Sequence, residues 1–178
     1  LWLLGDWEEV RAMAGTLARD IEVEDVSMAI VRFASGAMGS VTNSVLSPRE
    51  ESYLRFDFEK ATVELSHLYG YSTANWKYTK GQKAGEEEFQ RWSAVPGQTY
   101  GGHTAQIAAL LDSMDKGERP LVSGHEARRT IEFITALYKA ALTGRPVRRG
   151  EIVPGDPFYT TLHGGYAKPG QNVWRTTA

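Results

Sequence analysis

Few side chains in this 178-residue sequence are of the types that carry out covalent or metal chemistry. Cysteine is absent, which excludes disulfides, thiolate metal sites and a cysteine nucleophile. The sequence has neither a His-Glu-x-x-His zinc motif nor the Gly-x-Ser-x-Gly turn of serine hydrolases. A lone histidine is more often a structural or surface residue than a ligand, and the four histidines are widely scattered: His67, His103, His125 and His163.

The sequence also lacks the glycine-rich loops that bind phosphates. Neither Gly-x-Gly-x-x-Gly after a strand nor a Walker-type loop occurs, so no segment is suited to hold a pyrophosphate at a helix N-terminus. A net charge of −2 leaves no broad positive field for nucleic acid. No apolar run approaches the roughly 18 residues of a membrane span. The residues therefore predict a scaffold with few side chains that could catalyse a reaction.

Length and composition indicate one globular protein. With 42% hydrophobic and 24% charged residues, the chain is typical of folded proteins and not of disordered ones. The lack of cysteine fits a reducing compartment, and we expect a cytoplasmic protein. The apolar run 1–4 is too short for a signal peptide. It ends at Gly5, as the last turn of a helix does, so the chain is either trimmed at its start or divided from a larger protein at a domain junction.

Strand patterns fill the first half of the chain. Residues 24–34 are apolar on both faces, and Ser35-Gly36 is a tight turn into a hairpin partner at 37–46. Pro48 ends that partner, since proline cannot donate to a central ladder. The acidic run 86–88 is expected to be solvated surface. Further strands of an antiparallel meander are predicted at 8–16, 53–58, 61–65 and 76–78, with an edge strand at 89–95.

Two amphipathic helices follow. The first, at 103–116, has an apolar stripe and is closed by Gly117. The second begins at Ser123 and Glu126, which have the spacing of a capping box, and ends at Gly144. The stripe of the first helix is Ile107, Leu110, Leu111 and Met114, and that of the second is Ala127, Ile131, Ile134, Tyr138 and Ala141.

We therefore predict an α+β fold: an open, mainly antiparallel (mixed) β-sheet with helices packed on one face, and no Rossmann domain in this chain. The other face also carries apolar residues, Met28 and Ile30 or the opposite set, so we expect it to pack against another subunit. Residues 1–5 would end a linking helix, and 6–150 would form the domain. Aromatic side chains would hold 151–178 as an extended arm.

Several segments, in order, resemble the C-terminal domain of the Gfo/Idh/MocA family (glucose-fructose oxidoreductase, inositol dehydrogenase, rhizopine catabolism). The residues 21–26, Ile-Glu-Val-Glu-Asp-Val, and 31–40, Val-Arg-Phe-Ala-Ser-Gly-Ala-Met-Gly-Ser, are similar to its strand-turn-strand signature. Residues 117–120 and 124–147 resemble its closing helix and strand. Residues 54–65 resemble the next hairpin, although the Phe-Glu-Lys-Ala-Thr turn lacks both of the family's glycines. The resemblance covers about residues 1–150.

The resemblance implies that this chain is the substrate-pocket and oligomerisation half of an NAD(P)-dependent oxidoreductase that acts on a sugar, a polyol or a related CH–OH compound. The family's catalytic His and Asp, its Glu-Lys-Pro lysine and its Rossmann glycines lie upstream of the position of Leu1. We therefore expect NAD or NADP to bind an N-terminal Rossmann domain of the parent protein. This chain alone would have no catalytic, cofactor or metal residue and would not perform the redox step.

In relatives, the loop after the long hairpin and the entry to the first C-terminal helix approach the substrate. The corresponding residues are Ser47, Arg49, Glu50, Tyr100 and His103, and polar side chains on such loops suit sugar hydroxyls. Each also has a structural interpretation. Arg49 and Glu50 would lie in a solvated turn, Tyr100 would pack, and His103 would only begin a helix.

Two other functions stay open. The chain could belong to a non-catalytic regulatory or scaffold protein of the same fold, or it could be a free-standing ligand-binding α+β domain. The residues before Leu1 discriminate between these hypotheses. A His-x-x-Asp there, with Glu-Lys-Pro further upstream, favours the enzyme, and loss of these motifs favours the regulator. A start methionine directly before Leu1 favours the free-standing domain.

Overall fold

The computed structural model describes residues 1–67, 70–95, 100, 102–166 and 170–175. These form two compact units, Leu1–Ser47 with Leu121–Ala178, and Pro48–Pro120. We call them unit 1 and unit 2. The strands are β1 (Trp7–Gly15), β2 (Val26–Phe33), β3 (Met38–Ser44), β4 (Tyr53–Asp57), β5 (Ala61–Ser66), β6 (Trp76–Lys80) and β7 (Val147–Arg148), and the α-helices are α1 (Glu86–Ser93), α2 (His103–Asp115) and α3 (Gly124–Thr143).

The predicted α+β class is confirmed, and every strand pair in the described residues is antiparallel. The strands divide between two sheets instead of forming one continuous meander. Unit 1 contains a four-stranded sheet of order β3-β2-β1-β7, and unit 2 contains a three-stranded sheet of order β4-β5-β6. The break comes after β3, at the proline that the sequence marks as the end of that strand.

The hairpin of β2 and β3 forms at the predicted turn. Gly36 has a φ of 87°, a left-handed conformation that glycine adopts at little cost. The backbone N–H of Phe33 donates to the carbonyl of Ala37 at 2.9 Å and closes the turn. The resulting register places Val31 beside Gly39 of β3 and beside Val10 of β1. This register sets which side chains of unit 1 lie on the helix-covered face.

The core of unit 1 lies between its sheet and α3, which packs on β1 and β7. Ala136 and Ala140 of α3 are fully buried and let the helix approach the sheet closely. The buried face of α3 is therefore rotated relative to the predicted apolar stripe. Ile131, which belongs to that stripe, lies outside the contact with the sheet and is exposed. The buried cluster comprises Trp7, Val10, Val31, Phe33, Ala136, Ala140 and Val147.

Both ends of α3 follow the sequence signals. Ser123 and Glu126 form the predicted capping box, in which the Ser123 backbone N–H donates to the Glu126 carboxylate at 3.1 Å. Gly144 ends the helix in the left-handed conformation, with its N–H bonded to the carbonyl of Ala140 at 3.0 Å. In the apolar run at the chain start, residues 2–4 form a turn, and the Gly5 N–H donates to the Leu1 carbonyl at 2.8 Å.

The edge strand predicted at 89–95 is wrong, because residues Glu86–Ser93 form the helix α1. Three glutamates occupy its first turn, where the helix dipole favours negative charge. Phe89 and Trp92, at the i, i+3 spacing of a helix face, are both half-buried. The acidic run is only partly solvated surface, since Glu88 is half-buried and pairs with Lys60 at 2.8 Å.

The helix α2 forms where the sequence predicts it, yet none of its residues is buried. Its apolar stripe is exposed. Gly117, with a φ of 65°, follows its end and donates from its N–H to the Met114 carbonyl at 3.1 Å. Within the described residues, no helix is both long and apolar enough to span a membrane.

Candidate functional site

The Glu24-Asp25 pair of the strand-turn-strand segment organises the loop between β1 and β2. Asp25 is only 2% exposed, and its carboxylate accepts hydrogen bonds from the backbone N–H groups of Leu17, Ala18 and Arg19 at 2.8, 2.9 and 3.0 Å. Burial raises the pKa of the Asp25 carboxyl, but these backbone hydrogen bonds outweigh burial and hold the pKa below its ordinary value. Asp25 is therefore an ionised structural group and not a proton donor at neutral pH.

Glu24 takes part in a second contact. It accepts a hydrogen bond of 2.6 Å from the hydroxyl of Tyr138 on α3. Burial, together with this bond, raises the pKa of Tyr138 to about 12. The hydroxyl therefore stays protonated at neutral pH and acts as a fixed donor, which makes it unsuited to general acid–base catalysis. The helical period places Tyr138 in the apolar stripe of α3 and gives no signal of this polar role.

Glu24 and Tyr138 both line a recess of about 180 Å³ in unit 1. The recess lies between α3 and the helix-side face of the sheet. Asn43 lies on the same lining and donates to the Ser27 hydroxyl at 3.4 Å. Small apolar side chains form most of the wall, so the recess can take a compact apolar group with a polar edge. These wall residues include Ala12, Ala14, Ala29, Val41, Leu137 and Ala141.

The five residues predicted to contact substrate all lie on the surface of their units. Ser47 ends the first segment of unit 1, and the other four belong to unit 2. Arg49 forms an ion pair with Glu51, and Glu50 lies exposed between them. The sequence signal of this pair is the opposite charge of Glu51, two positions after Arg49.

Tyr100 and His103 lie at the start of α2. The Tyr100 side chain is 72% exposed, while its backbone forms a bridge with Ser72. His103 is the first residue of α2, and its Nδ1 lies 3.3 Å from Oε1 of Gln106. Gly102 is the N-cap, so the imidazole does not cap the helix.

The described residues contain no cluster of three or more His, Cys, Asp or Glu side chains that could hold a metal ion. The titratable groups of unit 1 described above take part in structural hydrogen bonds. Among them, the Asp25 carboxylate accepts backbone N–H groups and the Tyr138 hydroxyl donates to Glu24.

Comparison with known proteins found a matching family model and solved structures with the same fold. Residues 1–64 match the family model of the GFO/IDH/MocA C-terminal domain. No curated protein matches the chain. Among solved structures, the WlbA dehydrogenase of Bordetella pertussis, in complex with NADH and UDP-GlcNAcA, is 26% identical with a TM-score of 0.66, and the match covers 83% of this chain and 41% of that one.

Two further structures share the fold. The WlbA dehydrogenase of Chromobacterium violaceum is 27% identical with a TM-score of 0.66, and the match covers 84% of this chain and 42% of that one. The aldose-aldose oxidoreductase of Caulobacter crescentus is 21% identical with a TM-score of 0.62, over 81% of this chain and 42% of that one. The chain thus spans about two fifths of the length of these proteins. The sequence match and the shared fold together confirm the predicted resemblance: this chain has the fold and the N-terminal signature of a GFO/IDH/MocA C-terminal domain.

Proposed function

We infer that this chain is the substrate-side domain of a longer NAD(P)-dependent oxidoreductase that acts on a CH–OH group of a sugar, a polyol or a related compound. The observation that carries this proposal is the shared fold with the WlbA dehydrogenase, whose structure holds NADH and a sugar nucleotide. The match takes in most of this chain but less than half of that one. A Rossmann domain elsewhere in the longer protein would bind the cofactor, and an enzyme that draws on NAD(P) fits the cytoplasm.

In this proposal, the chain contributes binding and orientation. The cofactor supplies the hydride acceptor or donor when it is bound to the preceding domain. The residues of this chain would hold the sugar hydroxyls so that the reacting carbon is presented in one orientation, which lowers the entropic barrier of the reaction. No proton-transfer step is assigned to them, because the described polar groups are either exposed or tied into structural hydrogen bonds.

We propose Ser47, Arg49, Glu50, Tyr100 and His103 as the substrate contacts. Their exposure supports the proposal, since a group that is already buried is not available to a ligand. The ion pair with Glu51 restricts the Arg49 guanidinium, which reduces the entropy lost when it binds a hydroxyl. Tyr100 offers a ring and a hydroxyl, a combination that suits the faces and edges of a sugar.

We also propose that the longer enzyme is a homo-oligomer through the open face of the unit 1 sheet. The β1–β2 register pairs Met13 with Met28, and both are exposed, Met13 by 80%. Ile30 and Met38 are exposed as well. The alternation of β-strands places these side chains opposite the buried Val10 and Val31. A cluster of exposed apolar side chains on one sheet face is typical of an interface.

The deciding experiment uses the complete protein that contains this chain. Its purified form would be screened with sugars, polyols and sugar nucleotides while nicotinamide absorbance is followed. Substrate-dependent reduction of NAD or NADP is the expected result. Tight binding of a sugar without any reduction would instead support a regulatory protein of the same fold. An open reading frame that begins at this chain would contradict the proposal.

A further inference from the structure

A second recess of unit 1, of about 660 Å³, lies between α3 and the chain segment that follows β7. Its volume is in the range of small-molecule sites. One helix face forms one wall, because Arg128, Ile131, Glu132 and Thr135 follow each other at helical spacing. The opposite wall consists of residues from 149 to 159. None of the five proposed substrate contacts lines this recess.

One end of the recess is cationic. The Arg149 Nη1 donates to the Asp6 carboxylate at 2.6 Å, and the other oxygen of Asp6 pairs with Arg129. The Glu132 carboxylate accepts a hydrogen bond from the Gly150 N–H at 3.0 Å. Arg128 makes no hydrogen bond or ion pair with any residue that the structure describes. The charged residues that line the recess are thus two arginines, Arg128 and Arg149, and one glutamate, Glu132, and Arg128 has no protein partner within the described residues.

The other end is apolar. Phe158 is buried there, and the Lys139 Nζ lies 5.9 Å from its ring centroid, one helical turn beyond Thr135. Val153 and Tyr159 line this end and remain exposed, as does Ile131 on the helix side. Exposed apolar side chains around a buried aromatic floor favour a flat, hydrophobic group. The recess thus has a cationic end near the start of α3 and an apolar end about two turns along the helix.

The geometry points to a binding site for a small organic carboxylate that carries a flat apolar body. The carboxylate would lie against the Arg128 guanidinium, whose planar donors match two carboxylate oxygens. The apolar body would cover Val153 and Tyr159 above the Phe158 ring. This site adds a ligand to the chain that the proposed oxidoreductase function does not require.

The test titrates the ¹⁵N-labelled 178-residue chain with 2-naphthoate, and separately with 2-naphthylmethanol as the uncharged match. Naphthoate is expected to shift the amide signals of Ile131, Gly150 and Tyr159 in a saturable way. The alcohol should bind about tenfold more weakly, because it lacks the charge-assisted hydrogen bonds. Arg128→Ala should weaken naphthoate binding by about the same factor and leave the alcohol unaffected. Arg145→Ala removes an equal charge outside the recess and should match the parent chain.

Val153→Asp provides a second variant, which places a negative charge at the apolar end and should weaken the binding of both probes. Dispersed amide spectra establish that each variant is folded. Equal affinity for the two probes, unchanged binding in Arg128→Ala, or amide shifts outside the recess would each overturn the assignment. Absence of naphthoate binding would also overturn the assignment. This includes the case in which a second copy of the chain occupies the recess.

Discussion

The Oε1 atom of Glu24 accepts a 2.6 Å hydrogen bond from the hydroxyl of Tyr138, although 114 residues separate the two in the sequence. The Tyr138 ring centroid lies 5.6 Å from that of Trp174 near the C-terminus. The pair therefore joins the loop before β2, the helix α3 and the C-terminal segment. The glutamate of the signature segment thus has a structural role in this chain.

Replacing Tyr138 by Phe should lower the free energy of unfolding by about 1 kcal/mol, the net worth of a typical hydrogen bond. The folded pKa of about 12 exceeds the ordinary value of 10.0, so the stability that this group contributes is intact below pH 10 and is lost as the pH rises towards 12. Urea unfolding at about four pH values between roughly 8 and 11.5 would measure the free energy of unfolding. This free energy should fall with pH in the parent chain and fall less in Tyr138→Phe. Tyr159→Phe, at an exposed position, is the control, and an equal effect there would contradict the assignment.

Asp25→Asn should destabilise unit 1, because a neutral amide cannot accept the three backbone hydrogen bonds as well as a carboxylate does. The sign of the pH effect follows from the depressed pKa. The stability that the Asp25 carboxylate contributes is fully present above the ordinary pKa of 3.8. It is lost as the pH falls through the lower pKa of the folded state. Acid unfolding of the parent chain should therefore steepen below pH 3.8, and that of the variant should be flatter in this range. The same dependence of stability on pH below 3.8 in Asp25→Asn and in the parent chain would contradict this account.

Trp174→Ala should cost about 3 kcal/mol, as truncation of a buried aromatic side chain does. Trp174 is 8% exposed, and its backbone carbonyl accepts a 3.0 Å hydrogen bond from the Thr16 N–H. Asn172 also fixes the segment by donating to the Ile21 carbonyl at 2.7 Å. Guanidinium unfolding and the rate of C-terminal proteolysis would both report the change.

The matched control for this prediction is Trp2→Ala, because Trp2 is 90% exposed. Its stability should stay within about 0.5 kcal/mol of the parent chain. Comparable losses in the two variants would mean that the C-terminal segment is not anchored as the structure describes.

The open sheet face gives a prediction about assembly. Met28→Lys together with Ile30→Lys should shift the longer protein towards monomer, since a lysine pair in an apolar interface must lose its hydration. Sedimentation velocity would measure the distribution. Thr42→Lys lies on the same face at a polar position and should have a smaller effect. A parent protein that is monomeric at all concentrations would reject the interface.

Arg49→Ala in the longer enzyme should raise KM more than it lowers kcat, because the proposal gives Arg49 a binding role and no role in bond breaking. An increase in KM of about tenfold corresponds to one lost charge-assisted hydrogen bond. Steady-state kinetics with the preferred sugar would measure it. Arg91→Ala, on the exposed surface of α1, serves as the charge control. An unchanged KM in Arg49→Ala would mean that Arg49 does not bind substrate and only lies in a solvated turn.

The sequence by itself determined the local structure of this protein. The Ser123–Glu126 capping box, the Ser35-Gly36 turn and the stop at Gly144 all occur where the residues predict them. Such features depend on contacts within one or two turns of chain, which residue types specify directly. The order of the strand-turn-strand segments was also sufficient to identify the resemblance to the GFO/IDH/MocA C-terminal domain.

The tertiary structure decided how distant segments combine. Alternation of side chains gives each strand two faces but does not choose its neighbours, so the division into two sheets could not be predicted from 8–80. Short apolar runs fit a strand or a helix equally well, which is why 89–95 was assigned wrongly. The partners of Asp25 and Tyr138 likewise depend on the three-dimensional packing, because hydrogen bonds between residues far apart in the chain leave no periodic signal in the sequence.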